Sequence, residues 1–344
     1  MVIKSASMIF DNTFHLSQLL GDRDVFLLKI ENKLSVSISC RGEIININGE
    51  ESAVVKTKTI LENLYQRIKE GYNIEMSDVD AAIRMIEHAP ANVTVKNDDK
   101  TIVNKNGISK DISFKTLKKP IVPYTEKQKN YMQSLMDKEM VFATGPAGTG
   151  KTYLAVAAAV TLFAEDKVDR IILSRPAVEA GESLGFLPGD MREKVDPYLR
   201  PLYDALNDMM PAEKVLKYMQ TSQIEIAPLA FMRGRTLRNA AIILDESQNS
   251  TPVQMKMFLT RIGDGSKMFI TGDLSQTDLP KGQRSGLRDA IEKLSDIDEI
   301  DLLNFTEEDS VRHELTTKII NAYGKYDNDK KWNRKEANGF KNEY

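Results

Sequence analysis

The sequence has a single cysteine, no long apolar run and almost no net charge, and each of these absences excludes a class of protein. Cys40 is the only cysteine among 344 residues, so no disulfide can form within the chain. No apolar run is long enough to span a bilayer, and the first residues, MVIKSASMIFDNTFHL, lack the apolar core and cleavage site of a signal peptide. We therefore expect a cytoplasmic protein without membrane association.

The balance of charges excludes a chain that binds nucleic acid through its overall charge. The 47 basic and 50 acidic residues give a net charge of −3, so any such binding must come from local basic patches. A composition of 41% hydrophobic and 28% charged residues is ordinary for a globular protein. The length indicates two or three domains.

Hydrophobic periodicity divides the chain into four parts. We expect a small N-terminal α+β domain, a basic linker with a small hairpin, an α/β domain and a disordered tail, over residues 1–89, 90–120, 121–323 and 324–344. In the first part, alternation predicts two strands that meet at Arg41-Gly42, and helical spacing runs from Glu51 to Gly71. Asn12 to Leu20 is expected to be helical, and VFLLKIENKLSV to begin as a strand and continue as a short helix.

RNA binding by the first two parts is the weaker of two interpretations. A KH module needs a G-x-x-G loop between helices, and residues 1–89 contain none, so a KH-like domain is the less favoured alternative. The linker is rich in lysine and could face RNA, although an extended, solvated linker is the commoner reason for such a composition. Its lysines are Lys96, Lys100, Lys105, Lys110, Lys115, Lys118 and Lys119.

A phosphate-binding loop is the most specific motif in the chain. Residues 145–152 read GPAGTGKT, which matches G-x-x-x-x-G-K-[ST] between a buried strand and an Ala-rich helix. Backbone N–H groups and the helix N-terminus would hold a nucleoside triphosphate, with Lys151 at the β- and γ-phosphates and Thr152 on Mg²⁺. The nucleotide-binding residues predicted here are Gly145, Pro146, Ala147, Gly148, Thr149, Gly150, Lys151 and Thr152.

The strands around this loop predict the fold class. Near-continuous apolar strands that alternate with helices indicate a parallel sheet with helices on both faces, as in P-loop NTPases. Besides the strand before the loop, the predicted strands are 170–174, 223–227, 240–245 and 267–272.

Two of these strands end in residues suited to hydrolysis. Asp245 would hold Mg²⁺ through its water shell, and Glu246 would orient and deprotonate the attacking water. Asp273 and Gln276 follow the next strand, at the same edge of the sheet, and Gln276 would sense the γ-phosphate and position the water. Adjacent Asp and Glu favour hydrolysis over a small-molecule kinase, since a kinase excludes water.

Tyr124 and Gln128 precede the strand that leads into the loop. The Gln128 amide could pair with N6 and N7 of adenine while Tyr124 stacks on the ring. The alternative is a capped helix with Thr125 as N-cap and Gln128 at its third position. The two interpretations are compatible.

Residues 121–323 resemble the PhoH family, which are cytoplasmic bacterial P-loop ATPases related to the first motor domain of superfamily 1 helicases. Residues 10–88 also resemble the N-terminal part of the cellular PhoH form, through LLGDRD and RGEIININGE. The resemblance implies a RecA-like fold, ATP and Mg²⁺ as ligands, and a role in RNA metabolism or ribosome maturation. Its segments are GPAGTGKTYLAVAAAV, SRPAVEAGESLGFLPGD, KVDPYLRPLYDAL, IEIAPLAFMRGRTL, LDESQN, QMKMFLTR, TGDLSQTDLP and VRHEL.

The resemblance also implies an RNA path. Ser174 and Arg175 correspond to the helicase segment that grips a single-stranded backbone, and a strand end with an arginine suits a phosphate. Arg233, Arg235 and Arg238 lie together in FMRGRTLR and would contact RNA phosphate or the nucleotide of a neighbouring subunit.

A superfamily 1 motor has two lobes, and we do not expect the residues after Tyr323 to form the second one. A single lobe needs an arginine from elsewhere, which a closed ring supplies from each neighbour. Arg312 is the first candidate and Arg175 the second, with an intrachain salt bridge as the alternative for Arg312. The sequence therefore predicts a Mg²⁺-dependent ATPase acting on single-stranded RNA as a homo-oligomeric, hexameric ring, with an endoribonuclease as a further partner. The rival is a nucleotide-controlled switch or scaffold that gates a protein partner.

Overall fold

The computed structural model describes most of the chain and two separately packed units within it. The predicted tail, Arg312 and residues 90–111 of the predicted linker lie outside the described residues. No described helix is long and apolar enough to cross a membrane. The described residues are 3–69, 71–87, 112–176, 191–280 and 282–311, with 316, 319 and 322.

The N-terminal domain packs helices on one face of a three-stranded antiparallel sheet. The sheet has the order β1-β3-β2, so β3, the last of the three strands in the chain, lies between the other two. The strands that meet at Arg41-Gly42 and the helix that begins at Glu51 confirm the prediction. The elements are β1 (Ile3–Ile9), α1 (Thr13–Leu20), α2 (Val25–Leu34), β2 (Ser37–Arg41), β3 (Ile44–Glu50), α3 (Glu51–Lys69) and α4 (Met76–Glu87).

Two elements of this domain differ from the prediction. The VFLLKIENKL segment is helix α2 throughout, with Leu27 and Ile30 buried one turn apart, so the expected strand at its start is wrong. A short apolar run fits a strand or a buried helix equally well, and packing on the sheet decides. Strand β1 was not predicted from the sequence. Its apolar residues do not mark a single buried face, because Ile3 and Ile9 are exposed.

The α1–α2 connection is a short loop between two helices of the N-terminal domain. It reads Gly21-Asp22-Arg23-Asp24, with positive φ at Gly21, Arg23 and Asp24. The connection therefore lacks the G-x-x-G sequence that a KH module needs between helices. RNA binding by this domain stays a prediction.

The α/β domain is built on a six-stranded parallel sheet with the order β11-β6-β10-β9-β7-β8. All the predicted strands are present, which confirms the P-loop α/β fold class. The linker contributes the short hairpin of β4 (Phe114–Lys115) and β5 (Pro120–Ile121). The sheet strands are β6 (Met140–Thr144), β7 (Arg170–Arg175), β8 (Ile224–Pro228), β9 (Ala240–Leu244), β10 (Lys267–Gly272) and β11 (Ile300–Asn304).

Helices cover both faces of this sheet. Helix α6 lies against β9, β10 and β7, and its run Ala155–Ala159 is fully buried because small side chains let it approach the strands closely. Since the strands are parallel, their carboxyl ends meet at one edge, and α6 begins there. The helices are α5 (Glu126–Asp137), α6 (Lys151–Ala164), α7 (Met191–Met209), α8 (Ala212–Gln220), α9 (Pro252–Leu259) and α10 (Gly286–Leu294).

Candidate nucleotide-binding site

The loop between β6 and α6 has the backbone that its glycines predict. Gly145 has φ 132°, and a Cβ there would lie 2.4 Å from the carbonyl oxygen of Phe305, so only glycine fits. Gly148 and Gly150 also have positive φ, of 81° and 83°. The loop curls over the N-terminus of α6, where backbone N–H groups favour an anion.

Lys151 lies inside the curve of this loop. Its Nζ donates to the carbonyl oxygens of Gly145 and Pro146, each at 2.7 Å, and the residue is only 8% exposed. A phosphate bound in the loop would compete with these carbonyls for the ammonium. Lys151 thus lies within the loop, and its contact with the β- and γ-phosphates stays a prediction.

Thr152, in the first turn of α6, and Asp245, directly after β9, lie side by side. The Thr152 hydroxyl donates to Asp245 Oδ1 at 2.6 Å. Thr271, at the end of β10, donates to the same oxygen at 2.8 Å, a contact that sequence analysis missed. The carboxylate is thus held beside the phosphate-binding loop by two hydroxyls.

These oxygen donors fit a magnesium ion. The described residues hold no group of three or more His, Cys, Asp or Glu side chains suited to a metal. Mg²⁺ does not need such a group, because it binds through one or two protein oxygens together with water and substrate phosphates. Thr152 and Asp245 would hold it.

Glu246 stands next to Asp245 in an αL conformation, with φ 50°. This turn sends its side chain out of the strand and into the cleft, where it is 37% exposed. One carboxylate oxygen lies 3.6 Å from Arg175 Nη2. The other accepts from Gln248 Nε2 at 2.5 Å.

Gln248 is a second residue that sequence analysis missed. It is 1% exposed, and besides Glu246 it contacts the Asp273 N–H through Oε1 (3.0 Å) and the Gln276 carbonyl through Nε2 (3.2 Å). One amide therefore connects the residues that follow β9 with those that follow β10. The signal was the polar run SQNS after a buried strand, since buried amides occur where they are hydrogen-bonded.

The structure brings most of the predicted catalytic residues to one cleft of about 710 Å³. Gln276 is exposed on its wall. Asp273 is buried, and its Oδ1 accepts from Ser275 N–H and hydroxyl, while Oδ2 has no hydrogen-bond partner among the described residues. The cleft is lined by Lys151, Thr152, Arg175, Asp245, Glu246, Asp273 and Gln276.

Gln128 supports the loop from behind. Its Nε2 donates to the Thr149 carbonyl at 3.0 Å, and its Oε1 accepts from the Tyr124 N–H at 2.6 Å. Thr125 is the N-cap of α5 and accepts from the Gln128 N–H at 3.1 Å, which confirms the capped helix. Adenine recognition by Tyr124 and Gln128 stays a prediction.

The residues that were predicted to contact RNA do not all lie in this cleft. Arg175 lies in the cleft and donates to the Tyr198 carbonyl at 3.1 Å. Ser174 is fully buried, so it does not face solvent in this conformation. Its contact with RNA stays a prediction.

The arginines of FMRGRTLR lie outside the described lining of the cleft. Arg235 forms two hydrogen bonds to Glu225, at 2.6 and 2.7 Å, and these raise the pKa of its guanidinium. Arg233 is exposed, and Arg238 lies 4.0 Å from Asp264 on the surface. Their contact with RNA or with a neighbouring nucleotide is untested.

The segment after β11 runs along the phosphate-binding loop of its own chain. Phe305 N–H donates to the Thr144 carbonyl at 2.7 Å, and Val311 N–H donates to the Gly148 carbonyl at 2.9 Å. Val311 directly precedes Arg312.

Comparison with known proteins agrees with this geometry. A family model described as PhoH-like protein matches residues 120–324. The chain is 49% identical to a PhoH-like protein of Bacillus subtilis (strain 168), over 89% of this chain and 93% of that one. It is 46% identical to a PhoH-like protein of Mycobacterium tuberculosis (strain ATCC 25618 / H37Rv), over 90% and 85% of the two chains.

The chain belongs to the PhoH family.

The residues that match the family model include all those that line the cleft. The range that matches the PhoH model includes every residue described above, from Tyr124 to Val311. Protein PhoH of Escherichia coli (strain K12) is 45% identical over 59% of this chain and 58% of its own length. The Bacillus and Mycobacterium PhoH-like proteins align over a longer part of the chain, 307 and 313 residues. The family and the loop geometry together give this chain a nucleotide-binding fold of the P-loop, ATPase-like kind.

Proposed function

We propose that this protein is a Mg²⁺-dependent ATPase that acts on or with RNA in the cytoplasm. The observation that carries the proposal is the 2.6 Å contact between Thr152 and Asp245, with Glu246 beside it in the same cleft. A phosphate-binding loop, a carboxylate for the metal and a second carboxylate for water are the parts that nucleotide hydrolysis requires.

Each of these residues has its own role in the proposed hydrolysis of ATP. The loop N–H groups and Lys151 would bind the triphosphate, and Thr152 and Asp245 would hold Mg²⁺, which would supply positive charge at the phosphates. Glu246 accepts a proton from water as the water oxygen forms a bond to the γ-phosphorus and the bond to the β-phosphate oxygen breaks. Gln276 positions that water. The products are ADP and inorganic phosphate.

Arg175 provides a link between RNA and hydrolysis. It lies 3.6 Å from Glu246, so the guanidinium and the carboxylate attract one another. An RNA phosphate that binds Arg175 competes for the guanidinium and leaves Glu246 free to accept a proton. RNA binding then stimulates hydrolysis.

Hydrolysis assays with a panel of nucleic acids test this function. We expect single-stranded RNA to raise turnover of ATP, and a control polyanion such as heparin not to. The Lys151→Ala variant should lose ATP binding and hydrolysis, which excludes a contaminating ATPase. Turnover that no nucleic acid changes would favour the alternative, a nucleotide-controlled switch that gates a protein partner such as an endoribonuclease.

The assembly that we propose is a homo-hexameric ring in which each neighbour supplies Arg312. An arginine finger is worth about 10³–10⁵ in rate, so Arg312→Ala should bind ATP but hydrolyse it slowly. Mixing it with Glu246→Gln subunits should restore activity above the sum of the two parents, with mass photometry confirming mixed rings. Mixed rings without recovery would assign Arg312 to its own subunit, next to the Val311 contact with Gly148. An active monomer would exclude the ring.

A further inference from the structure

A second cavity, of about 650 Å³, lies between the N-terminal domain and the phosphate-binding loop. One wall is the end of α3 and the α3–α4 connection, residues 71–75. The opposite wall includes Tyr124, Gly148, Gly150 and Tyr153. Its volume is within the range of small-molecule sites.

This cavity continues the nucleotide cleft. Gly148, Gly150 and Tyr153 line both spaces. Tyr153 directly follows Thr152, and its hydroxyl donates to Asp208 Oδ2 at 2.5 Å, while Asp208 also pairs with Lys119 at 2.8 Å. These contacts hold the tyrosine at the junction. The space beside the N-terminal domain is therefore within reach of a ligand whose phosphates lie in the loop.

The wall formed by the N-terminal domain contains a buried hydrogen-bond donor, on Arg67, that has no acceptor among the described residues. Arg67 Nη1 is buried and has no hydrogen-bond partner among the described residues, and its nearest carboxylate oxygen, Asp78 Oδ1, is 3.9 Å away. Asp78 Oδ2 accepts from the Glu75 N–H at 2.8 Å, so the same carboxylate fixes the α3–α4 connection. A buried unpaired donor is costly, and a ribose oxygen or a ring nitrogen would satisfy it.

The opposite wall offers an aromatic surface. Tyr124 provides a ring on which a base can stack, beside the buried amide of Gln128. Next to the cavity, the Tyr72 hydroxyl donates to Ser113 Oγ of the linker at 3.3 Å. The chemistry of the cavity, with one flat ring and polar groups opposite, is suited to a nucleoside.

We propose that the base and ribose of the bound nucleotide lie in this cavity, against residues 71–75, and that the nucleotide joins the two domains. The N-terminal domain then forms part of the nucleotide site, and its position responds to whether the site is filled. The inference rests on the proposed function, since it needs a triphosphate in the loop.

A bulky residue at Asn73 tests the placement. Asn73 is exposed on the cavity wall, and Asn63 is an exposed asparagine of the same domain outside the described lining of the cavity. In the full-length protein with Mg²⁺, Asn73→Trp should weaken ATP binding at least about tenfold and leave inorganic tripolyphosphate within about twofold. Asn63→Trp should change neither affinity.

Comparing ATP with tripolyphosphate distinguishes a failure of this inference from a failure of the proposed function. Unchanged ATP affinity in Asn73→Trp would overturn the inference alone. An equal loss of ATP and tripolyphosphate would overturn it as well, because the effect would then lie at the loop. A wild-type protein that binds neither ligand would overturn the proposed function and this inference with it.

Photolabelling tests the contact directly. With 8-azido-ATP, we expect label in the tryptic peptide 70–84, which contains the α3–α4 connection. Excess ATP and the Lys151→Ala variant should both remove that label. Label confined to the α/β domain would contradict the placement.

Discussion

The N-terminal domain has an apolar core, whereas the α/β domain buries charged and amide groups beneath its cleft. Among described residues, Thr57 is the polar residue of the N-terminal domain that is buried as a whole, and it donates to the Ala53 carbonyl of its own helix at 2.8 Å, whereas Arg67 is buried only in part. In the α/β domain Lys151, Asp245 and Gln248 are all buried at the carboxyl ends of the strands. Burying such groups is costly unless they are paired.

Because of this difference, we expect substitutions in the two domains to have different effects. Substitutions at the buried polar groups of the α/β domain should change the rate of hydrolysis. Substitutions in the N-terminal domain should change its stability or the affinity for the nucleoside. The following variants test that separation in order of decreasing effect.

Glu246→Gln should lower ATP turnover by about 10²-fold or more, which is the range for loss of a general base. ATP affinity should stay within about twofold, because the amide keeps the size of the side chain. Steady-state hydrolysis and equilibrium titration measure the two quantities. Glu213→Gln, on the exposed side of α8, is the control. Normal turnover by Glu246→Gln would show that another group activates the water.

Gln248→Ala should lower kcat by about 10- to 100-fold, because the groups that follow β9 and β10 lose their common partner. KM should change much less, since Gln248 does not line the phosphate-binding loop. Gln133→Ala removes an exposed amide that donates to Asp137 of its own helix and serves as the control. A parallel fall in kcat and in thermal stability, with the same fall in ATP affinity, would indicate a purely structural role.

Arg175→Ala should weaken binding of single-stranded RNA and reduce its salt dependence by about one ion, with ATP affinity unchanged. Fluorescence anisotropy at several salt concentrations measures both effects. Arg170 begins the same strand at the opposite edge of the sheet, so Arg170→Ala is a matched control. Equal salt slopes for Arg175→Ala and the wild type would move the RNA path elsewhere.

Asp11→Asn should produce the smallest effect, confined to the stability of the N-terminal domain. Hydrogen bonds from the Tyr65 hydroxyl and Lys69 lower the Asp11 pKa from 3.8 to about 2. Because the folded pKa is depressed, this stabilisation is fully present above the unfolded value and is lost as the pH falls towards 2. The difference in melting temperature between wild type and variant should be constant above pH 4 and narrow below it. A difference that does not change over this range would contradict the assignment.

Local patterns predicted much of the fold, and they failed where packing chose between alternatives. The buried strands of the α/β domain were predicted because their residues are apolar throughout. Strand β11 was not, since at the edge of the sheet its Ile300, Leu302 and Leu303 are only half-buried. Helix α2 was misassigned because four successive apolar residues fit either element.

The sequence alone determined the phosphate-binding loop, because eight consecutive residues act there through backbone geometry that their own types impose. It also placed Asp245 and Glu246 at a strand end. Only the tertiary structure decided that Thr271 and Gln248 hold these carboxylates, and that residues 71–75 lie beside the loop. Those contacts join residues far apart in the chain, so they depend on the order of the strands and on the packing of one domain against the other.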